Sequence, residues 1–274
     1  MKLLIIGGKG MAGHMIRDYF SRKNHEVYYT SRDSFDKKSI YLDVHDLTTL
    51  KKTIQNLKPD VVINCTGILN KKASEQKKEA IYVNSLFPHL LAKMSKENQA
   101  KFIHLSTDCV FQGDRGDYRE RDFPDGTSDY ARTKTLGEVY HPPHLTVRTS
   151  IIGPELKKDG IGLFLWFMNQ KGTIKGYKNV LWNGVTTLEL AKALEKMISQ
   201  EITGLYHLTA PKKISKYKLL KMIQRVFNKN DVHIVPDYEI KLDRTLVNTR
   251  KDFHYEVLDY EAMLTELKEW MNRS

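Results

Sequence analysis

Short apolar runs alternate with amphipathic stretches through the first half of the chain. Leu3–Gly7 reads as a buried strand, and the glycine-rich residues after it lead into a helical stretch at Met11–Lys23. The same reading gives strands at Glu26–Thr30, Ile40–Asp43, Val61–Cys65, Lys101–Ser106 and Leu145–Arg148. Helical periodicity fills the intervals at Leu47–Leu57, Glu79–Asn98 and Asp129–Tyr140. Strands alternating with helices at this spacing predict a parallel, doubly wound α/β sheet. Beyond Pro154 the pattern loosens. Helices are expected at Leu163–Gln170, Thr187–Ser199, Lys216–Asn228 and Glu261–Met271, with short strands near Gly204–Leu208 and Asp231–Val235. The expected organisation is a sheet domain over residues 1–150 and a smaller α/β lobe over residues 151–274. That lobe would pack on the C-terminal strand edge of the first domain, and the segments are allowed to interleave.

Composition narrows the class. The chain has 274 residues, 41% of them hydrophobic and 28% charged, which excludes a disordered or collagen-like protein. The longest apolar run, Leu163–Met168, falls far short of the roughly 20 residues a membrane span needs. Leu3–Ile6 is too short for a secretory core, so a cytoplasmic protein is expected. Two cysteines cannot build a disulfide framework, no Cys/His cluster has zinc spacing, and no metal site is expected. The ten histidines have no ligand spacing, and none is assigned to catalysis. Net charge is +11, carried by dispersed lysines without a nucleic-acid-binding signature. It suits a substrate and a cofactor that both carry phosphates.

The first strand runs into Gly7-Gly8-Lys9-Gly10-Met11-Ala12-Gly13. Glycines 7, 10 and 13 fit G-x-x-G-x-x-G, and glycines 8, 10 and 13 fit G-x-G-x-x-G. Either way glycine permits a tight turn and close approach to a pyrophosphate, at a helix N-terminus that favours anions. A site for NAD ordinarily has an acid at the end of the second strand, to hold the ribose 2′-hydroxyl. Here that strand ends in Thr30-Ser31-Arg32, and a hydroxyl with an arginine suits a 2′-phosphate. NADP(H) is therefore the preferred cofactor. Asp33, one residue later, keeps NAD(H) open.

Tyr130 and Lys134 stand at i and i+4 of an expected helix, on one face. A phenol of ordinary pKa near 10 is a poor catalyst at neutral pH, and an ammonium one turn away favours its ionised form. The spacing alone is common by chance. About twenty residues upstream a strand ends in Ser106-Thr107-Asp108-Cys109-Val110-Phe111, where a hydroxyl could orient a carbonyl beside the tyrosine.

Taken jointly, the glycine loop, Ser106-Thr107-Asp108 with Val110-Phe111, and Tyr130/Lys134 with Gly137-Glu138 resemble the extended short-chain dehydrogenase/reductases. Among these, the sequence is most similar to the dTDP-4-dehydrorhamnose reductase-like nucleotide-sugar reductases. Asp43-Val44 resembles the pair that contacts adenine, Thr66-Gly67 the small residues lining the cofactor, and Val83-Asn84 the helix carrying a structural active-site Asn. Arg148-Thr149-Ser150 resembles the strand end leading into the substrate lobe. The resemblance covers roughly the whole chain and is sharpest over residues 1–150, which it implies is an NAD(P)-binding Rossmann domain.

The resemblance implies a catalytic set of Thr107, Tyr130 and Lys134, with Tyr130 donating a proton to a keto oxygen and Lys134 also holding the nicotinamide ribose. Gly7, Gly10, Met11, Gly13, Ser31, Arg32, Asp43, Val44, Thr66 and Gly67 would hold the cofactor. Asn84, Asp108, Cys109, Val110, Trp182 and Arg244 would face the substrate. That substrate would be a dTDP- or UDP-linked 4-keto-6-deoxy sugar reduced at C4, of the kind that supplies bacterial surface polysaccharide. A homodimer is compatible with the resemblance; nucleic-acid and membrane partners are not expected. Trp182 can equally be core, and Arg244 can equally be a surface residue paired with Asp243.

The departures are informative. Cys109 occupies a slot usually held by Tyr, and Pro88-His89 stand where small residues are common. A dehydratase would carry Glu at position 109, so its base is missing. A reductoepimerase such as GDP-fucose synthase places a cysteine there as base, which makes Cys109 a candidate. The alternative is a small buried residue, since no cationic neighbour is visible beside it in sequence and Asp108 would raise its pKa. A third reading is a non-catalytic regulator like the methionine adenosyltransferase regulatory subunit, against which Tyr130 and Lys134 both count.

Overall fold

The computed structural model describes residues 1–157 and 160–273. The strands are β1 (Lys2–Ile6), β2 (Glu26–Ser31), β3 (Ile40–Tyr41), β4 (Val61–Asn64), β5 (Lys101–Thr107), β6 (Leu145–Thr149), β7 (Ile151–Ile152), β8 (Gly172–Trp182), β9 (Val185–Thr186), β10 (Gly204–His207), β11 (Ile214–Ser215) and β12 (Val232–Asp243). The helices are α1 (Met11–Arg22), α2 (Leu47–Leu57), α3 (Asn70–Glu75), α4 (Lys77–Ala80), α5 (Phe87–Glu97), α6 (Asp129–Leu136), α7 (Leu163–Met168), α8 (Thr187–Ser199), α9 (Lys216–Val226) and α10 (Tyr260–Asn272).

Seven strands form one parallel sheet in the order β10-β6-β5-β4-β1-β2-β3. Its central strands are buried on both faces, which is why β1 and β4 read as apolar runs, while β6 buries Thr146, Arg148 and Thr149 as well. Side chains alternate across the sheet. Leu3 and Ile5 of β1 join a core with Ile16 and Phe20 of α1, Leu190 and Leu194 of α8, and Leu264 and Leu267 of α10. Leu4 and Ile6 pack the other way, with Leu50 and Ile54 of α2 and Phe87 and Leu91 of α5. Strand order reverses between β1 and β4, so the cleft opens at their C-terminal ends, where the glycine loop lies. No helix among the described residues is long and apolar enough to cross a membrane.

Several elements differ from the sequence reading. The strand at 204–207 is not part of a separate lobe; it pairs with β6 in parallel, Leu205 opposite Thr146, and completes the first sheet. The second sheet, β11-β8-β12, rests on β8, an eleven-residue strand the sequence did not suggest. Its lysines, asparagine and two glycines give it no clean apolar alternation. β12 runs to Asp243, well past the expected Val235. The expected helix at 79–98 is interrupted: residues 81–86 adopt a π-helical turn between α4 and α5. The expected helix at 129–140 stops at Leu136 and is capped by Gly137, which lies against the Asn84 carbonyl so closely that any Cβ there would clash.

Candidate active site

The glycine loop is set by backbone geometry. Gly7 adopts φ +82°, a left-handed conformation that disfavours other residues, and donates its N–H to Thr30 Oγ1 at 3.2 Å. A Cβ on Gly13 would stand against the Gly7 carbonyl and one on Gly8 against the Tyr29 ring, so both are packing glycines. Gly10 is different. A Cβ there would meet only the Gly7 and Cys65 carbonyls, at 3.4 and 3.9 Å. It leaves bare backbone at the start of α1, a surface that fits a dinucleotide pyrophosphate. Met11 is the first residue of that helix.

At the end of β2, Ser31 Oγ accepts the Asp33 N–H at 3.0 Å. Asp33 is already engaged by Lys9, whose Nζ donates to Oδ2 at 2.6 Å and holds the carboxylate below its usual pKa range. Arg32 is exposed and makes no salt bridge among the described residues. Further round the cleft, Asp43 and Val44 are half-buried, with Asp43 Oδ1 accepting the His45 N–H and the Val44 carbonyl accepting the Tyr82 hydroxyl. Thr66 donates both its N–H and its hydroxyl to Asn64 Oδ1, and Gly67 leaves room beside Asn84.

α6 begins at Ser128, whose hydroxyl accepts the Ala131 N–H, and presents Tyr130 and Lys134 to the end of β5. Both are buried, 9% and 3% exposed. Burial pushes the Tyr130 phenol above its usual pKa; Cys109 nearby adds to this, and the neighbouring Thr107 hydroxyl opposes it. The phenol is thus held protonated, the form that can give a proton to a ketone. Burial pulls the Lys134 ammonium down to about 8, opposed by the carboxylate of Glu138. Its Nζ donates to the Leu105 carbonyl at 2.7 Å and lies 3.1 Å from His104 Nε2. Thr107 Oγ1 accepts the Cys109 N–H and donates to Asp108 Oδ1, each at 3.1 Å.

Asn84 is fully buried within the π-helical turn, and the protein itself satisfies its amide. Oδ1 accepts the Ile68 N–H, while Nδ2 donates to the Ile68 carbonyl and to Thr133 Oγ1. It braces α6 against the loop after β4, and π-turns are frequent at functional sites. Val110, expected to face substrate, is fully buried against Phe111, Tyr118 and Leu246. Trp182 is core: 3% exposed, its Nε1 donating to Ser150 Oγ at 2.8 Å and its ring under the Lys216 ammonium at 5.1 Å.

Arg244 does not pair with Asp243, which Lys213 holds instead at 2.9 Å. Its Nη1 lies 3.7 Å from Cys109 Sγ, and its Nε donates to the Gln112 carbonyl. Cys109 therefore does have a cationic neighbour, contrary to the sequence reading. Burial still dominates, and with Asp108 beside it the thiol is pushed up to about 12. Asp108 is likewise raised by burial, with Lys216 and Arg244 opposing.

Sequence reasoning missed two residues here. Lys216 opens α9, and burial lowers it to about 8 with Asp108 and Cys109 opposing. A cation in the first turn of a helix runs against the helix dipole, which was the available signal. His104 is a fully buried polar residue within the apolar run of β5, and that break in the run was its signal.

A family model, the RmlD substrate binding domain, matches residues 1–246. The chain is similar to methionine adenosyltransferase 2 subunit beta of Xenopus tropicalis, 25% identical over 260 residues, covering 86% of this chain and 75% of that one. Its fold matches the crystal structure of a dTDP-4-dehydrorhamnose reductase from Clostridium acetobutylicum, at TM-score 0.82 and 26% identity, over 99% of this chain and 100% of that one. The dTDP-4-dehydrorhamnose reductase from Bacillus anthracis, solved in complex with NADP, shares the fold at TM-score 0.83 and 21% identity, over 98% and 100% of the two chains.

Proposed function

We propose that this chain, which belongs to the RmlD substrate binding domain family, is an NADPH-dependent reductase of the C4 ketone in a nucleoside-diphosphate 4-keto-6-deoxy sugar. The observation that carries the reading is a protonated, buried Tyr130 one helical turn from Lys134 and beside Thr107, in a chain whose first strand runs into a glycine loop with an open Gly10. The full-length likeness to a dTDP-4-dehydrorhamnose reductase supports the substrate class.

Bound NADPH would supply the hydride. Tyr130 gives its proton to the keto oxygen as that oxygen gains charge, the work of a positioned general acid. Thr107 holds the same oxygen in line through its hydroxyl. Lys134 supplies a positive charge behind the phenol, stabilising the phenolate left when the proton has gone. Gly7, Gly10, Gly13 and Met11 would cradle the pyrophosphate; Asp43, Val44, Thr66 and Gly67 would line the nucleotide. Ser31 and the unpaired Arg32 would take the 2′-phosphate, since Lys9 already occupies Asp33. Arg244 and Lys216, neither with a salt bridge among the described residues, would hold the anionic substrate beside Cys109. The substrate and cofactor of this reading imply a cytoplasmic protein.

Two alternatives have specific observations against them. A thiol pushed up to about 12 stays protonated at neutral pH, which disfavours epimerisation through Cys109. A regulatory role like that of methionine adenosyltransferase 2 subunit beta leaves Tyr130, Lys134 and Thr107 without a purpose. The test is turnover of a panel of 4-keto nucleotide sugars with NADPH, the product configuration being read by NMR. No oxidation of NADPH with any member of the panel would sink the proposal.

A further inference from the structure

Behind Lys134 lies a fully buried chain of polar groups, Asn64–His104–Lys134, joining β4, β5 and α6. Its hydrogens can be assigned from the one donor in it that admits no ambiguity. The Thr66 backbone N–H points at one amide atom of Asn64 at 3.1 Å, so that atom is the oxygen; the Thr66 hydroxyl donates to it as well, at 2.7 Å. The other amide atom is then the NH₂ group, which only donates. It lies 3.2 Å from His104 Nδ1, so Nδ1 must accept. A neutral His104 therefore carries its hydrogen on Nε2, and Nε2 faces Lys134 Nζ at 3.1 Å.

An ammonium has three donors and no acceptor, so a protonated Lys134 sets donor against donor at this contact. A neutral amine fits without conflict. It donates one hydrogen to the Leu105 carbonyl, accepts Nε2–H on its lone pair, and keeps one hydrogen for the cleft. We propose that His104, locked in its Nε2–H tautomer by Asn64, is a positioning residue that stabilises the neutral amine Lys134 becomes when it returns a proton to the Tyr130 phenolate. The proposal rests on the reductase reading for its place in the cycle. In that step an Nζ–H bond breaks, the phenol O–H bond re-forms, and the Nζ lone pair takes up the waiting Nε2–H. His104 itself neither gains nor loses a proton.

The surroundings agree. Burial, with Lys134 and His89 nearby, keeps His104 well below its usual pKa, so the ring stays neutral. His89 bonds the Leu136 carbonyl, and the Glu138 carboxylate and the half-buried Cys65 after β4 both favour the ammonium. Burial outweighs both of these at Lys134.

The tautomer can be read in the full-length protein, without substrate or cofactor, from two-bond ¹H–¹⁵N correlations of histidine-labelled samples. The expected form is neutral Nε2–H between about pH 6 and pH 9. A Nδ1–H tautomer or a charged ring would overturn the proposal. Asn64→Leu keeps the volume but frees Nδ1, and His104 should then switch to Nδ1–H and accept from the ammonium. The alkaline limb of kcat/KM, measured at saturating NADPH, should move up by about one pH unit. Asn64→Asp is the second variant, because a carboxylate also favours Nδ1–H. A limb that stays in place while the tautomer switches would overturn the proposal, since a merely structural role lowers the rate without moving it. Absence of turnover in the unaltered protein would bear on the reductase reading alone, the tautomer being read independently.

Discussion

Arg148 meets both carboxylate oxygens of Glu138, Nε to Oε1 and Nη2 to Oε2, each at 2.7 Å, with the two side chains 3% and 2% exposed. Ser106 Oγ donates to the same Oε1 at 2.6 Å. One carboxylate thus ties the end of the catalytic helix to β6 and to the residue before Thr107. Removing one member of a buried pair leaves the other charge without compensation, at a cost of about 3–5 kcal/mol. Arg148→Met should lose that much in urea denaturation, and adding Glu138→Leu should recover a large part of it. A loss below about 1 kcal/mol, the worth of an exposed pair, would mean that the pair is solvated.

Tyr130→Phe removes only the hydroxyl from a side chain that is otherwise packed with Ala73 and Ala80. NADPH binding and the folded state should survive, while turnover should fall by about 10²–10⁴-fold, the usual worth of a positioned acid. Near-normal kcat in this variant would remove Tyr130 from the mechanism.

Arg32→Ala should discriminate between cofactors. Arg32 is exposed with no salt bridge among the described residues, whereas Asp33 is held by Lys9. Only NADPH carries the 2′-phosphate, and a hydrogen bond to a charged group contributes about 1.5–3 kcal/mol. Titrated side by side, NADPH should weaken by roughly ten- to a hundredfold and NADH hardly at all. Equal losses would show that Arg32 does not read the phosphate.

How much of this was legible follows from what each residue answers to. β1 and β4 lie in the middle of a parallel sheet, and burial on both faces leaves apolar runs that sequence reading finds readily. The glycine loop and the Tyr130/Lys134 pair were legible because their chemistry fixes their spacing. β10 was found as a strand but grouped with the second lobe, since nothing in residues 204–207 records that β6, nearly sixty residues earlier, is its neighbour. The partners of Asn84 in the π-turn were invisible because the Ile68 backbone and Thr133 Oγ1 lie 16 and 49 residues away from it in sequence. Arg244 was named as substrate-facing from the resemblance and Lys216 was not, and only the fold brings both from the second half of the chain to Cys109.

Cys109 decides between simple reduction and epimerisation. An epimerising base must remove a proton α to the ketone, so turnover in D₂O would place deuterium at C3 or C5 of the product. A simple reductase takes its carbon-bound hydrogen from the cofactor and leaves those carbons unlabelled. Arg244, 3.7 Å from the sulfur, favours the thiolate, but burial and Asp108 outweigh it and push the thiol up to about 12. At neutral pH the thiol is then held protonated and is not available as the base. The expected product therefore carries no deuterium at C3 or C5, and Cys109→Ser should change kcat only modestly. Stoichiometric label at either carbon, abolished in the Ser variant, would mean that bound substrate brings Arg244 or Lys216 close enough to ionise the thiol, and would make Cys109 the base of a reductoepimerase.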